Sequence, residues 1–538
     1  MRYDWPMEEY TDLKFNPESE KFLRAFLVSY CQRTSVANGA NSTRASSAVV
    51  LYEKLRVAVE YQEEHLIFKN AIARILRRKY FLQPNIEPNS LLNDLTRELV
   101  WANYVNPESL DQAKWRKIEK ILERYLVILQ NLSNSLYSKM DLQNKVIEWM
   151  ACEIEDYIKP KEDNLLFVDF TTNILKASLE INKNKISEVD NLILIKSTVF
   201  TLIFKPDLPL IEHFILKQIY PEWNNYSLDE LKKFGRSFEP YYNRIDHYLK
   251  HPYKANYLRF VKRNIPPFVV LRDALSSDTL LPENVKDGPA GFEDVCRDSY
   301  RKMVDEAKAK VYRGTFRALI FIFMTKMLLA FLVEVPYENY FLGGVHYTSL
   351  AINVITPPVL MLIAGFSIKS PSAKNAKILL DSVYNILRHA RVDKKKHFLA
   401  RKQKASNSLR LFNYIYLILN LAIMYGVIYL LLRIGFNTVS IVLFFFFVSI
   451  VSFFSFRIRN IATELTMERA NDDTITSTME FLFLPFIKIG KFISGRFANF
   501  NPFIIALDFF IEAPLKTIVK FLSIWRGFVN TKKEDLEY

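Results

Sequence analysis

Glycine is scarce in this chain. Thirteen glycines in 538 residues are about a third of the usual share of roughly 7%. That leaves little for turn-rich β architecture and nothing for phosphate-cradling loops: neither GxxxxGK[ST] nor GxGxxG occurs. The three cysteines, Cys31, Cys152 and Cys296, are odd in number and far apart. They give no disulfide framework and no zinc spacing, and they suit a reducing compartment. GxSxG and CxxC are also missing. His247 and His251 stand four apart, but position 248 is Tyr, so the glutamate base of an HExxH peptidase is lacking. No catalytic residue, cofactor or metal site is therefore predicted. The opening residues, MRYDWPMEEY, lack the basic and apolar stretches of a signal peptide, and none is expected.

What the chain has is apolar length, unevenly placed. Half of it is hydrophobic and 14% is aromatic, enough for a packed core in every region. Before about residue 315 no stretch is long and apolar enough to span a bilayer, which takes about 20 residues. Four later stretches qualify: 315–335, 349–368, 412–432 and 438–456. The last two contain no charged residue, whereas Lys326 interrupts the first and Pro357-Pro358 the second. The expected fold is all-α: a cytoplasmic helical N-terminal region, then a four-span transmembrane bundle with interfacial helices at the C-terminal end.

Charge placement tests that assignment independently. No Lys or Arg lies between Glu334 and His346, whereas 369–410 holds twelve bases and two acids, a net +10. A further +4 lies in 297–317, so these two juxtamembrane stretches carry the whole formal excess of +14. Basic loops stay in the cytoplasm, which predicts a multi-pass cell-membrane protein with both termini cytoplasmic. Bases at this depth suit anionic lipid headgroups rather than nucleic acid, which would call for a basic soluble domain. The expected lipid surface is Lys377, Arg388, Arg391, Lys394, Lys395, Lys396, Arg401 and Lys402. Ile378, Leu379, Val383, Ile386, Leu387 and Ala390 recur at helical spacing, predicting an amphipathic helix in the headgroup plane.

Helical periodicity fills the soluble region. In KWRKIEKILERYLVILQNL, Trp115, Ile118, Ile121, Leu122, Tyr125 and Leu129 form one stripe. The expected divisions are a helical domain over 1–160, a second helical subdomain and linker over 161–291, the membrane region over 292–460 and an amphipathic tail over 461–538. Residues 292–317 lack breakers except Gly314 and read as one helix running into the first span. In the tail, Asp508, Glu512, Lys516 and Lys520 make a narrow polar stripe, acids before bases. Residues 478–489 are too short to span and read as interfacial or re-entrant.

The candidate polar site lies among the spans. Lys326 sits mid-span, eight residues before Glu334. Eight residues of helix are about 12 Å, so Glu334 reads as too distant along the same helix. The ammonium then needs another polar partner or water, which Asp508 or Glu512 supplies if the tail packs inward. Pro357 and Pro358 remove the amides that would serve the carbonyls of Asn353 and Val354. That predicts a break or kink with Asn353 and Thr356 as nearby polar partners.

Two pairs of segments, TKMLLAFLVEVPYE with LAINVITPPVLM and FLPFIKIGKFIS with LDFFIEAPLK, resemble uncharacterised multi-pass bacterial integral membrane proteins. The resemblance implies the membrane architecture and no activity. The leading expectation is a non-enzymatic, membrane-anchored scaffold whose helical region takes protein partners. The alternative is a transporter, channel or lipid-handling protein built on Lys326 and the Asn353–Pro358 segment, which with four spans implies a homo-oligomer.

Overall fold

The computed structural model describes residues 15–38, 66–102, 104–105, 112–132, 139–160, 162–180, 186–276, 288–341, 343–368, 371–389, 397–398, 407–467 and 483–493. Among them the fold is helical apart from a two-residue parallel ladder, Leu179 and Glu180 beside His397 and Phe398. The chain divides into two compact units.

The first unit comprises residues 15–265 with 386–399. It opens with α1 (Pro17–Asn38), α2 (Ile67–Leu82), α3 (Pro88–Trp101) and α4 (Gln112–Gln130). Next come α5 (Lys139–Ile158), α6 (Glu162–Ala177), α7 (Glu188–Phe204) and α8 (Leu208–Ile219). After a 3₁₀ turn at Pro221–Asn225, α9 (Leu228–Arg236), α10 (Phe238–Leu249) and α11 (Lys254–Asn264) complete it. Local chemistry starts these helices. Ser187 and Asp207 cap α7 and α8 by accepting from Asp190 N–H and Leu210 N–H, and Ser227 with Glu230 forms a capping box on α9. The predicted α4 stripe turns inward, with Ile118, Leu122, Tyr125 and Leu129 buried.

Its core also holds charge. Glu153 accepts from Arg124 (2.8 Å), Tyr125 (2.8 Å) and the Trp223 indole (3.0 Å). Glu212 likewise accepts from Lys145, Trp149 and Tyr242 at 3.0–3.1 Å. Lys69, fully buried, lies between Glu148 and Asp207. Every such charge is met by donors or counter-charge, which is what burial of an ion requires.

The second unit comprises residues 266–385 and 400–501. It begins with α12 (Pro266–Ser276) and α13 (Gly288–Leu329), a 42-residue helix with no interruption at Gly314. A π-helical segment at Ala330–Glu334 joins α13 to α14 (Val335–Phe341). There follow α15 (Tyr347–Phe366), α16 (Ala373–His389), α17 (Asn407–Arg433) and α18 (Thr438–Ala462). Four helices here are long and apolar enough to cross a membrane: Asp294–Phe341, Tyr347–Phe366, Tyr414–Arg433 and Thr438–Ala462.

Three of the four pack together. Val311, Ala318 and Ile322 of α13 meet Met361 of α15 and Phe447, Val451 and Ile458 of α18 in one core. Gly365 lets α15 approach α13: a Cβ there would lie 2.3 Å from Thr315 Cγ2. By contrast only 6% of the apolar window of α17 is buried, and it joins α18 through Leu431, Phe436 and Ile441. Residues 483–493 form a short helix whose Phe486 stacks on Phe445, 5.9 Å between centroids. A Cβ on its Gly490 would stand 2.2 Å from the Ser449 carbonyl oxygen. The segment therefore lies against the middle of α18, running in the same direction.

Two expectations need correction. The apolar face of α16 is not presented to headgroups. Leu379, Leu380, Val383, Ile386 and Leu387 are buried in protein, and Asn375 fixes the helix start by donating to Tyr300 and the Leu465 carbonyl. An amphipathic pattern records only that one face avoids water, and protein satisfied it here. Of the break or kink expected at Pro357 and Pro358, the break is not found: α15 runs through both prolines as one helix. The predicted helical tail, with Asp508 and Glu512, lies outside the described residues, as do Arg391, Lys394, Lys395, Lys396, Arg401 and Lys402.

Candidate functional site: a buried polar cluster among the apolar helices

Lys326 on α13 is completely buried, and its ammonium donates to Glu334 Oε1 at 2.7 Å. Glu334 is completely buried too. The expectation that these two residues stand too far apart on one helix is therefore wrong, and the π segment gives the reason. Eight residues of regular α-helix would place Glu334 about 80° round from Lys326. In the π segment Val335 N–H reaches back to the Ala330 carbonyl, one residue further than in an α-helix. That widened turn brings Glu334 back to the face of Lys326. Pro336 is its chemical origin, since it has no amide for the Leu332 carbonyl and its ring would strike that carbonyl in a tighter turn.

Other helices close round the pair. Asn353 of α15, completely buried, donates from Nδ2 to Glu334 Oε1 at 2.7 Å and to the Ser440 carbonyl of α18 at 3.3 Å. The Phe447 ring of α18 lies 5.1 Å from the ammonium, where the negative face of an aromatic favours a cation. One turn beyond Glu334, buried Glu338 accepts from Asn437 Nδ2 at 2.6 Å and from His346 N–H at 2.8 Å. Asn437 Oδ1 in turn accepts from Ser440 N–H and caps α18. Polar groups thus stack from the 343–346 turn inward to Lys326. Beyond Lys326 the buried surroundings, Ile322, Met361 and Phe447, are apolar.

Two acceptors in this cluster lack a hydrogen-bond partner among the described residues: Glu334 Oε2 and Asn353 Oδ1. Both donors that reach the carboxyl, Lys326 and Asn353, go to Oε1.

Of the predicted site residues, the structure joins Lys326 and Asn353, through Glu334. Among the described residues it does not join Thr356, Pro357 or Pro358 to them. Thr356 donates to the Ile352 carbonyl of its own helix at 2.6 Å, so neither Thr356 nor Asn353 serves the carbonyls that the prolines leave without amides. Pro357 and Pro358 are buried within α15. Sequence reasoning missed Glu334 as the partner, and Glu338, Asn437 and Ser440 altogether. The one available signal was Pro336, two residues after Glu334, which marks a place where helical register changes. On the lipid-surface list, Lys377 is exposed and Arg388 is half-exposed on α16.

His247 and His251 do stand close, with ring centroids 5.1 Å apart, and His251 Nδ1 accepts from Tyr253 N–H at 3.3 Å. No group of three or more His, Cys, Asp or Glu placed to hold a metal occurs among the described residues. Compared with known protein families, curated proteins and solved structures, the chain matches none.

Proposed function

We propose that this is a multi-pass membrane protein whose four apolar helices hold the helical unit of residues 15–265 at the cytoplasmic face, where it acts as a scaffold for protein partners. The observation that carries the reading is an inside-out arrangement of the second unit. Phe316, Phe331, Leu332, Ile418 and Leu421 are each about 60% exposed, while Lys326, Glu334, Glu338 and Asn353 are buried and bonded to one another or to their neighbours. Water-soluble monomers seldom expose an apolar surface of that extent, whereas hydrocarbon favours it. The absence of Lys and Arg from Glu334–His346 and their density after α15 support a cytoplasmic side for the termini and the basic loop. Exposed Lys377, with Arg388, would there meet anionic lipid.

The test has two arms. The chain should pellet with membranes and need detergent to dissolve. In reconstituted vesicles, ion flux and lipid scrambling should match protein-free vesicles, while a partner copurifies at fixed stoichiometry.

A second reading, transport or channel activity through an oligomer, is favoured by the two oxygens of the Lys326 cluster that lack a partner among the described residues. It predicts a flux above background that Lys326→Met or Pro358→Ala abolishes.

A further inference from the structure

The donors around Glu334 are distributed unevenly, and that distribution is chemically specific. A carboxylate spreads its charge over two equivalent oxygens and is best served by donors on both. A neutral carboxylic acid is asymmetric: its carbonyl oxygen accepts, and its hydroxyl donates. Around Glu334 the two donors among the described residues, the Lys326 ammonium and the Asn353 amide, converge on Oε1, and Oε2 receives none from them. The other end of the same Asn353 amide, Oδ1, is a buried acceptor without a donor among the described residues.

A carboxylic acid and a primary amide pair at two points: amide N–H to the acid carbonyl, and acid O–H to the amide oxygen. Here the first bond exists, Asn353 Nδ2 to Glu334 Oε1 at 2.7 Å. The two atoms that the second bond would join, Glu334 Oε2 and Asn353 Oδ1, are both buried acceptors without a partner among the described residues, and a proton on one of them would let it donate to the other. We propose that Glu334 is a proton-binding site: it takes a proton from water onto Oε2 and donates it to Asn353 Oδ1, completing a two-point carboxyl–amide pair while Oε1 keeps the Lys326 ammonium. One O–H bond forms on Glu334 and one breaks on the hydronium that delivers the proton. No other reactant is needed.

Among the described residues the ionisable groups around the site are few. Lys326 precedes Glu334 on its own helix, and Glu338 follows it one turn later. α15 carries no Asp, Glu, Lys, Arg or His, and His346, its N-cap residue, joins the cluster through its N–H on Glu338. The arginines of α18, Arg457 and Arg459, come seventeen or more residues after Ser440, roughly 26 Å along a helix. Lys488, on the segment packed against α18, lies by Tyr416. When Glu334 is neutral the excess charge rests on Lys326, over the Phe447 ring.

The inference concerns this site and not the docking of partners, and the experiment reads protonation directly, so its failure leaves the scaffold reading intact. Infrared difference spectra between acid and alkaline buffers are recorded on the full chain in phosphatidylcholine vesicles. Acidification should produce a protonated-carboxyl band that Glu334→Gln removes and Glu338→Gln keeps. Asn353→Leu, which retains the carboxyl, should move that band to the position of an acid without a hydrogen-bonded partner, and it decides the matter if Glu334→Gln fails to fold. Superimposable spectra of wild type and Glu334→Gln over the whole pH range in which the chain stays folded would overturn the proposal. So would an unmoved band in Asn353→Leu. A Glu334 carboxylate persisting at every pH, as when a water molecule bridges the two oxygens, overturns it equally.

Discussion

The Lys326 ammonium and the Glu334 carboxylate meet at 2.7 Å across eight residues of one helical run, and they do so because the turn between them is π rather than α. The pair is thus a product of local backbone geometry as much as of charge. It ties the π segment to α13, and Asn353 ties both to α15 and α18.

Breaking this pair from one side should cost more than removing it. Lys326→Met leaves a buried carboxylate without its cation, which costs about 3–5 kcal/mol. Lys326→Met combined with Glu334→Gln leaves no charge and should recover a large part of that loss. Thermal midpoints of the three proteins in one detergent give the comparison, and equal midpoints for the single and double variants would refute the coupling.

The two close-packed glycines should differ in cost. A methyl at Gly490 meets the Ser449 carbonyl oxygen, backbone that cannot turn aside, whereas one at Gly365 meets the Thr315 side chain first. Gly490→Ala should therefore destabilise by about 1–3 kcal/mol, and Gly365→Ala by less. Melting in detergent tests the order, and protease sensitivity at residues 468–482 reports whether the 483–493 helix has come away.

The helical unit should lose stability in acid in two stages. Burial, with the charge of Lys217, holds the buried His213 imidazole below its ordinary 6.5. Below that pH the unfolded chain takes up a proton that the folded chain refuses, so this contribution is full above about 6.5 and declines as pH falls. For Glu153 burial opposes the charge, but His213, Lys217 and Arg124 outweigh it and hold the carboxyl down from 4.5 to about 2. Its contribution is present above 4.5 and is lost as pH falls toward about 2. Tryptophan fluorescence, with Trp223 bonded to Glu153, should follow both stages, and Glu153→Gln should remove the lower one.

Impermeant thiol reagents can read the topology. A Cβ at Gly344 meets nothing within 4 Å, so Gly344→Cys in a Cys31→Ser background should label from outside intact cells. Lys377→Cys should label after the cells are opened and not before. The reverse pattern would invert the orientation.

How much of this was legible depends on how local each cause is. The four apolar helices, their bounds to within a turn or two at most ends, and the long α13 follow from composition and helical period, which neighbouring residues set by themselves. The α4 stripe is of the same kind. The destination of the α16 apolar face was not legible, because a stripe specifies a dry neighbour and does not say whether lipid or protein supplies it.

The candidate site divides along the same line. Lys326 and Asn353 announced themselves as polar residues in apolar runs, since an ion or amide in such surroundings must find a partner. Which partner it finds is a matter of three dimensions. Glu334 reaches Lys326 only after Pro336 has widened a turn, and Asn353 and Ser440 lie 87 residues apart in the chain. The sequence determined that buried polar groups would need one another. Tertiary structure decided the pairing, because hydrogen bonds are set by distance and direction between side chains that helix packing alone brings together.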